Sequence, residues 1–566
     1  MSKTTGTKGS DVFDSTGSPL LDLSVSLVRG AQETSISKGI QTIVSKQDRQ
    51  MNIYLLVLLF HVRNIRGGKG ERDLFLSMYS SLYTYFPTQM VSLLKFVPTF
   101  GSWHDLCSLY TRIYSSLFHK AILTMFATQL QEDVGKPDTE LSLCAKWAPR
   151  EGKTHHAMAN ALSKFMFPNH RNHLQMYRQL VSSINRRLKT VETLMSGRMF
   201  SAIVPKNVPG RAGKLYTRAF LNLASTFKEG SLVKLSPAES RKLRYPDNLD
   251  RMDCREHFQE HFQKASEGTA KIHGSATLFP HEVVKKAMSE SLTDEEKNQL
   301  NAIWRTMVEK AKEGGGLGKS VFMCDFSGSM IRSAQGALPY WVSLALGILG
   351  SEVCSEGFRN QILTFDSQPT LHTLPEGDLF ARIKSICESP SIGQGWSTDF
   401  QAAMNLVIQT LKERRVKPGE EPENLIVLTD MNWDAACGSN AVSSWTGNSY
   451  SDHVKTEDWQ THVEMIKETF RRTGEDMWGT LESGGLGGFT VPRIVIWNLS
   501  ANPTDFTDFH ATQDTPGVSM LSGWSPSQFR ILQTLGPRQV SALETLEEEL
   551  NDPQYHELAC FLRWKF

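Results

Sequence analysis

The chain has 566 residues, of which 40% are hydrophobic and 21% charged, and these proportions exclude a fibrous or wholly disordered protein. At this length one hydrophobic core does not suffice, so two or more domains are expected. The net charge of +1 hides an asymmetry: residues 1–300 carry 40 Lys and Arg against 27 Asp and Glu, whereas the remainder carries 21 against 33.

Taken in chain order, residues 1–35 read as a polar tail, because MSKTTGTKGSDVFDS has no apolar signal core. From 36 to 312 the pattern is helical. Apolar residues recur at three and four spacing in 51–65, 71–85, 88–97, 103–130, 172–196, 212–227, 254–264, 280–290 and 295–312, with short Gly/Pro breaks between. Many antiparallel helices on short turns point to an all-α helical-repeat domain of HEAT type. The one long apolar run, NIYLLVLLFHV at 52–62, is about half a membrane span and reads as a core helix, so no membrane partner is expected.

Within this part, residues 141–244 hold 19 basic and 4 acidic residues. Its stretches KWAPREGKTHH, NHRNHLQMYRQLVSSINRRLK and RMFSAIVPKNVPGRAGKLYTRAF interleave cations with Trp, Tyr, Phe and His. Cations track phosphates and aromatic faces stack on bases, which is the chemistry of single-stranded RNA recognition. The candidate contacts are Lys146, Arg150, Arg171, Arg178, Arg186, Arg187, Arg211, Lys214 and Arg218. HFQEH at 257–261 has the spacing of an inverted zinc-protease motif, but no third ligand is evident and an amphipathic surface helix explains it.

Residues 313–319, in EGGGLGKS, read as a glycine-rich hinge; a phosphate loop would follow a strand and open a helix, and this one does neither. From 320 to 566 strands and helices alternate: strands at 320–325, 360–366, 369–374, 424–429 and 492–498, helices at 336–350, 378–387, 399–414, 460–473 and 525–536, and an inserted polar loop at 435–459. That order is a mostly parallel, Rossmann-like α/β sheet.

Asp325 ends the first of these strands, in VFMCDFSGSM, with Ser327 and Ser329 directly after it. Asp430 ends the strand NLIVLTD, and Thr398 lies in GQGWSTDF just before a helix. Ligands of open parallel sheets bind where the strands end, and hydroxyls with carboxylates make a hard oxygen set for Mg²⁺, or Mn²⁺ or Ca²⁺, rather than zinc. The set resembles the metal-ion-dependent adhesion site of von Willebrand factor A domains. That resemblance implies Asp325, Ser327, Ser329, Thr398 and Asp430 as metal ligands and an open coordination position for a partner protein's acidic side chain. The family has glycine after the third-loop aspartate, whereas this chain reads D-M-N-W-D, with Asp434 placed to assist.

A basic helical half joined to such a domain is similar to the Ro ribonucleoprotein architecture, in which the helical TROVE module holds small structured RNAs and single-stranded RNA ends. RNIRGGKGERDLF, FGSWHDLC, KWAPRE, VETLMSGRMFSAIVPKNVPGRAGKLYTRAF and GVSMLSGWSP resemble more closely an uncharacterised related family of plants, fungi and large DNA viruses. The expectation is a non-catalytic, RNA-binding scaffold of Ro-like type; the alternative is a protein–protein adaptor or virion component that uses the metal site without RNA. A nuclease or phosphatase lacks a general base apart from Asp434 or Asp366. The eight scattered cysteines, with no CxxC pair, suit a reducing compartment, cytoplasmic or nuclear.

Overall fold

The computed structural model describes residues 3–5, 11–225, 227–228, 231–232, 235–331, 338–365, 368–389, 400–431, 459–501 and 508–565. The chain divides into two compact units, one made of Ile36–Met307 with Pro553–Phe566 and the other of Met1–Ser35 with Val308–Asp552.

The first unit is helical, and its breaks follow local chemistry. Asp48 caps the helix Arg49–Arg63 by accepting from the Met51 amide, and every residue from Leu55 to Val62 is buried, as the long apolar run requires. The run expected at 103–130 is two helices, Trp103–Arg112 and Ser116–Gly135, because the Ser115 hydroxyl accepts from the Phe118 amide and starts a new one. Likewise 172–196 divides into His173–Leu188 and Val191–Ser196, where Lys189 turns left-handed (φ 45°) and Thr190 caps. A helix at His156–Met166, without a counterpart in the sequence expectation, completes this part.

Residues 553–566, expected within the α/β domain, belong instead to the helical unit. The buried His61 and Asn64 of the core helix need polar partners, and the chain's end supplies them. Tyr555 Oη lies 3.1 Å from His61 Nδ1, and Asn64 Nδ2 donates to Gln554 Oε1 at 2.8 Å. Phe561 packs edge-on against Phe96 at 5.5 Å.

The second unit is built on a six-stranded sheet: β1 (Ser320–Asp325), β2 (Gln361–Phe365), β3 (Leu371–Thr373), β4 (Asn424–Thr429), β5 (Arg493–Asn498) and β6 (Val518–Ser522). Their order is β6-β5-β4-β1-β2-β3, parallel except for the edge strand β3. Strands β1, β4, β5 and β6 are buried at every position, which is why β1, β4 and β5 read as unbroken runs rather than alternations. The connections leaving β1 and β4 diverge, so the crevice above their carboxyl ends is the topological switch point. The helix Leu338–Glu352 approaches β1 closely; a Cβ added at Gly350 would collide with the Phe322 ring.

Strand β6 escaped the sequence pattern because its serines read as polar. Both are satisfied internally: Ser519 Oγ lies 2.8 Å from Thr545 Oγ1, and Ser522 Oγ donates to the Ser24 carbonyl at 2.7 Å. That second bond also corrects the polar-tail assignment of residues 1–35. Lys3–Thr5 pairs antiparallel with Asp11–Phe13, and Ser18 caps the helix Pro19–Ser26, whose Leu20, Leu21, Leu23 and Val25 are buried. Asn498 Nδ2 donates to the Val25 carbonyl at 3.0 Å, and the Arg29 guanidinium sits 4.2 Å from the Trp524 ring centre. The glycine run expected as a free hinge is also part of this unit, since the Leu317 amide bonds the Val353 carbonyl at 3.0 Å and Leu317 is buried. No helix among the described residues is long and apolar enough to cross a membrane.

Candidate functional site

Two sites anticipated from sequence can be followed in the structure, one in each unit. At the switch point, Asp325 is fully buried. Its Oδ1 accepts from the Ser327 amide at 2.8 Å and its Oδ2 from Thr429 Oγ1 at 3.1 Å. Ser327 Oγ and Ser329 Oγ are 2.9 Å apart, so both hydroxyls of the DxSxS turn gather at one point. Cys324 is paired in register with Leu428 on β4, which sets Thr429 beside Asp325 and the buried Asp430 one residue beyond. Thr429 had no sequence signal beyond its place in the strand.

Met431 stands where the resemblance expects glycine, and it takes φ 68°, the left-handed region that glycine favours. Two bonds hold it there: its amide donates to Thr429 Oγ1 at 3.2 Å, and its carbonyl lies 2.8 Å from His510 Nε2. Burial pushes the His510 imidazole down to about 4, so at neutral pH it is the uncharged ring that donates this bond. The departure in sequence therefore keeps the backbone turn.

Two carboxylates and two or three hydroxyls at adjacent strand ends form a hard, oxygen-only donor set, which fits a small divalent cation. Among the described residues no group of three or more His, Cys, Asp or Glu is placed to hold a metal, so the hydroxyls are essential to any such site. Thr398 and Asp434 lie outside the described residues.

In the helical unit, four of the nine expected cations line one cleft of about 790 Å³: Lys146, Arg150, Arg178 and Arg186. Arg178 and Arg186 stand eight residues apart on the helix His173–Leu188 and so share a face. Glu151 and Glu192 line the same cleft and pair with Arg178 and Lys146, each at 3.1 Å. Four cations thus face two carboxylates.

Trp147, 37% exposed, gives the cleft an aromatic wall. Its ring lies 5.1 Å from that of His104, and the Lys146 ammonium is 5.6 Å from its centre. His104 is fixed from behind: Arg72 Nη2 donates to its Nδ1 at 2.7 Å, while Arg72 Nε and Arg63 Nε hold the buried Asp105 at 2.7 and 2.9 Å. The quoted stretches RNIRGGKGERDLF, FGSWHDLC and KWAPRE are thereby one packed cluster. Burial, reinforced by Arg72, pushes His104 and His155 below the ordinary histidine range, so the positive charge here comes from Lys and Arg.

The remaining candidates are placed elsewhere. Arg187, a helical step of about 100° from Arg186, bonds Asp138 and the carbonyls of Asp133, Val134 and Lys136, closing the end of the helix Ser116–Gly135. Arg218 binds Glu296 at 2.9 Å and the carbonyls of Ala224 and Ser240, both at 2.7 Å, and Lys214 binds Glu282 at 2.7 Å. Arg187 and Arg218 thus spend their donors on the fold, and Lys214 is paired with a partly exposed carboxylate outside the cleft. Arg171 and Arg211 are exposed but do not line the cleft.

Two family models match separate parts of the chain, and neither describes an activity. Residues 319–557 match the family described as Domain of unknown function (DUF7788), and residues 112–228 match Domain of unknown function (DUF2828). An uncharacterised protein of Acanthamoeba polyphaga mimivirus is 25% identical over 91% of this chain and 82% of its own length. Among solved structures, the Ro (RSR) protein of Deinococcus radiodurans aligns with 91% of this chain and 99% of its own at 13% identity, with a TM-score of 0.35.

Proposed function

We propose that this protein is a non-catalytic RNA-binding scaffold, whose cleft at Lys146, Arg150, Arg178 and Arg186 takes the phosphates of a single-stranded segment while Trp147 offers a stacking face. One observation carries this reading: four cations dispersed over 41 positions of sequence converge with an exposed tryptophan on one concave surface. Ion pairs that are partly exposed contribute only about 0–1 kcal/mol each, so Glu151 and Glu192 yield Arg178 and Lys146 to a phosphate at little cost.

The second half of the reading concerns the sheet edge. Asp325, Ser327, Ser329 and Asp430, with Thr398 from the preceding loop, would hold Mg²⁺, or Mn²⁺ or Ca²⁺. The ion would supply a Lewis-acidic position for the carboxylate of a protein partner. The excess of acidic residues after position 300 directs RNA away from this part of the chain.

Binding of a labelled single-stranded RNA, followed by fluorescence anisotropy against salt, tests the cleft. Neutralising four phosphates on a single strand gives a slope of about −2.8 in log K against log salt. In the variant K146Q/R150Q/R178Q/R186Q that contribution should vanish. An unchanged slope and affinity in a folded variant would remove RNA from the cleft.

A further inference from the structure

The edge strand β3 leaves part of the α/β core open. The helix Phe400–Glu413 covers the β2 side of the sheet, and between this helix and β1, β2 and β3 lies a second cavity of about 370 Å³. Its walls are apolar: Leu363 and Leu371 from the sheet, Leu406, Val407 and Leu411 from the helix. Leu371 and Leu406 stay half-buried because they face this space rather than each other. Pockets of about 300–1,000 Å³ with apolar walls and a few placed polar groups are the usual form of a small-molecule site.

Polar side chains complete the lining. Arg414, exposed just past the helix, donates through Nη1 to Gln361 Oε1 at 3.2 Å, and among the described residues its other guanidinium N–H groups meet no protein acceptor. Lys319 also lines the cavity, held by the Gly419 carbonyl and by Glu423 at 3.4 Å. Glu420 is the one acid in the lining. The amides of Arg414, Val416 and Arg415 bond the carbonyls of Thr410, Leu411 and Lys412 at 3.0, 3.1 and 3.1 Å, which lessens the repulsion of an anion by this helix end and leaves the rest to be offset by Arg414 and Lys319. An apolar chamber with an exposed guanidinium at its mouth suits an alkyl chain with an anionic head, and a carboxylate is the smallest head that pairs with arginine through two parallel hydrogen bonds.

We propose that this cavity binds a small amphipathic monocarboxylate, with its chain against Leu363, Leu371, Leu406 and Val407 and its carboxylate on Arg414. The site lies at the amino-terminal ends of β1 and β2, whereas Asp325 stands at the carboxyl end of β1, so it is separate from the candidate metal edge.

Calorimetric titration of the full-length protein with octanoate, and separately with 1-octanol, tests the proposal. Octanoate should bind saturably at one site, about tenfold more tightly than the alcohol, the ratio that corresponds to about 1.4 kcal/mol. Arg414→Gln should erase that preference and leave octanol binding unchanged. Leu371→Trp, which fills the chamber from the edge strand, should abolish both, and Leu406→Trp makes the same test from the helix side if the first variant does not fold. Absence of saturable binding to the wild type would overturn the proposal. So would binding that survives both tryptophan variants, or an octanoate preference that survives Arg414→Gln.

Discussion

Leu21 lies within the first 35 residues, far in sequence from the α/β unit, yet it is fully buried in that unit. It sits on the helix Pro19–Ser26, whose Val25 carbonyl accepts from Asn498 at the end of β5. Leu21→Ala removes buried methyl groups without touching that bond or the Ser18 cap. Leu→Ala in a well-packed site costs about 2–5 kcal/mol, transfer and cavity together. A domain of this size loses about 2–4 °C per kcal/mol, so the α/β transition should fall by roughly 4–20 °C in differential scanning calorimetry. Leu481→Ala, at a side chain 75% exposed, is the control and should leave the transition in place. The docking argument fails if Leu21→Ala melts with the wild type, since a frayed tail would respond in that way.

Three further outcomes follow from individual groups. Mg²⁺ at about one hundred times its dissociation constant should stabilise the wild-type protein by about 2.7 kcal/mol and should not stabilise Asp325→Asn; equal upward shifts in thermal melts would place the ion elsewhere. Burial, with Lys69 adding to it, pushes His61 from 6.5 to about 3. The unfolded chain therefore takes up the proton first. Stability that His61 leaves intact above pH 6.5 is lost as pH falls toward 3, by about 1.4 kcal/mol per unit, and His61→Gln should flatten that slope in urea titrations of the helical unit. Arg493 is fully buried, its Nη1 reaches the Arg538 carbonyl only at 3.4 Å, and among the described residues its Nε and Nη2 have no protein partner. Because unmade buried hydrogen bonds cost about 1–3 kcal/mol, Arg493→Met should hold or raise the melting temperature; a large fall would show that the guanidinium is better paired than its contacts indicate.

What the sequence conveyed depended on whether a pattern had a single cause. The run VFMCD is short and bounded by glycine-containing turns, which marks a strand buried on both faces, and the turn after it brings Ser327 and Ser329 within 2.9 Å of each other. Strand β6 was obscured because VSMLS carries serines whose partners, Ser24 and Thr545, are distant in sequence. The helix at 19–26 was too short to show a period, and its partners at Asn498 and Ser522 lie nearly 500 residues away.

The basic region shows the same limit at the level of single residues. Charge density marked the segment but could not sort its cations. Helical spacing sets Arg178 and Arg186 on one face and turns Arg187 off it, and the helix end that Arg187 closes is about 50 residues earlier in the chain. The cluster around Trp147 joins its own stretch to two others, so it was visible in sequence only as motifs without a shared reason.

The central claim is that RNA lies in the cleft beside Trp147. Its most direct measurement is ultraviolet crosslinking in the native cell, followed by recovery of the protein, sequencing of the attached RNA and mapping of the crosslinked peptides. The account predicts discrete RNA species joined to peptides within 144–196, with the crosslinks centred on Trp147. Recovery of no RNA at low salt, or crosslinks confined to the α/β unit, would contradict it.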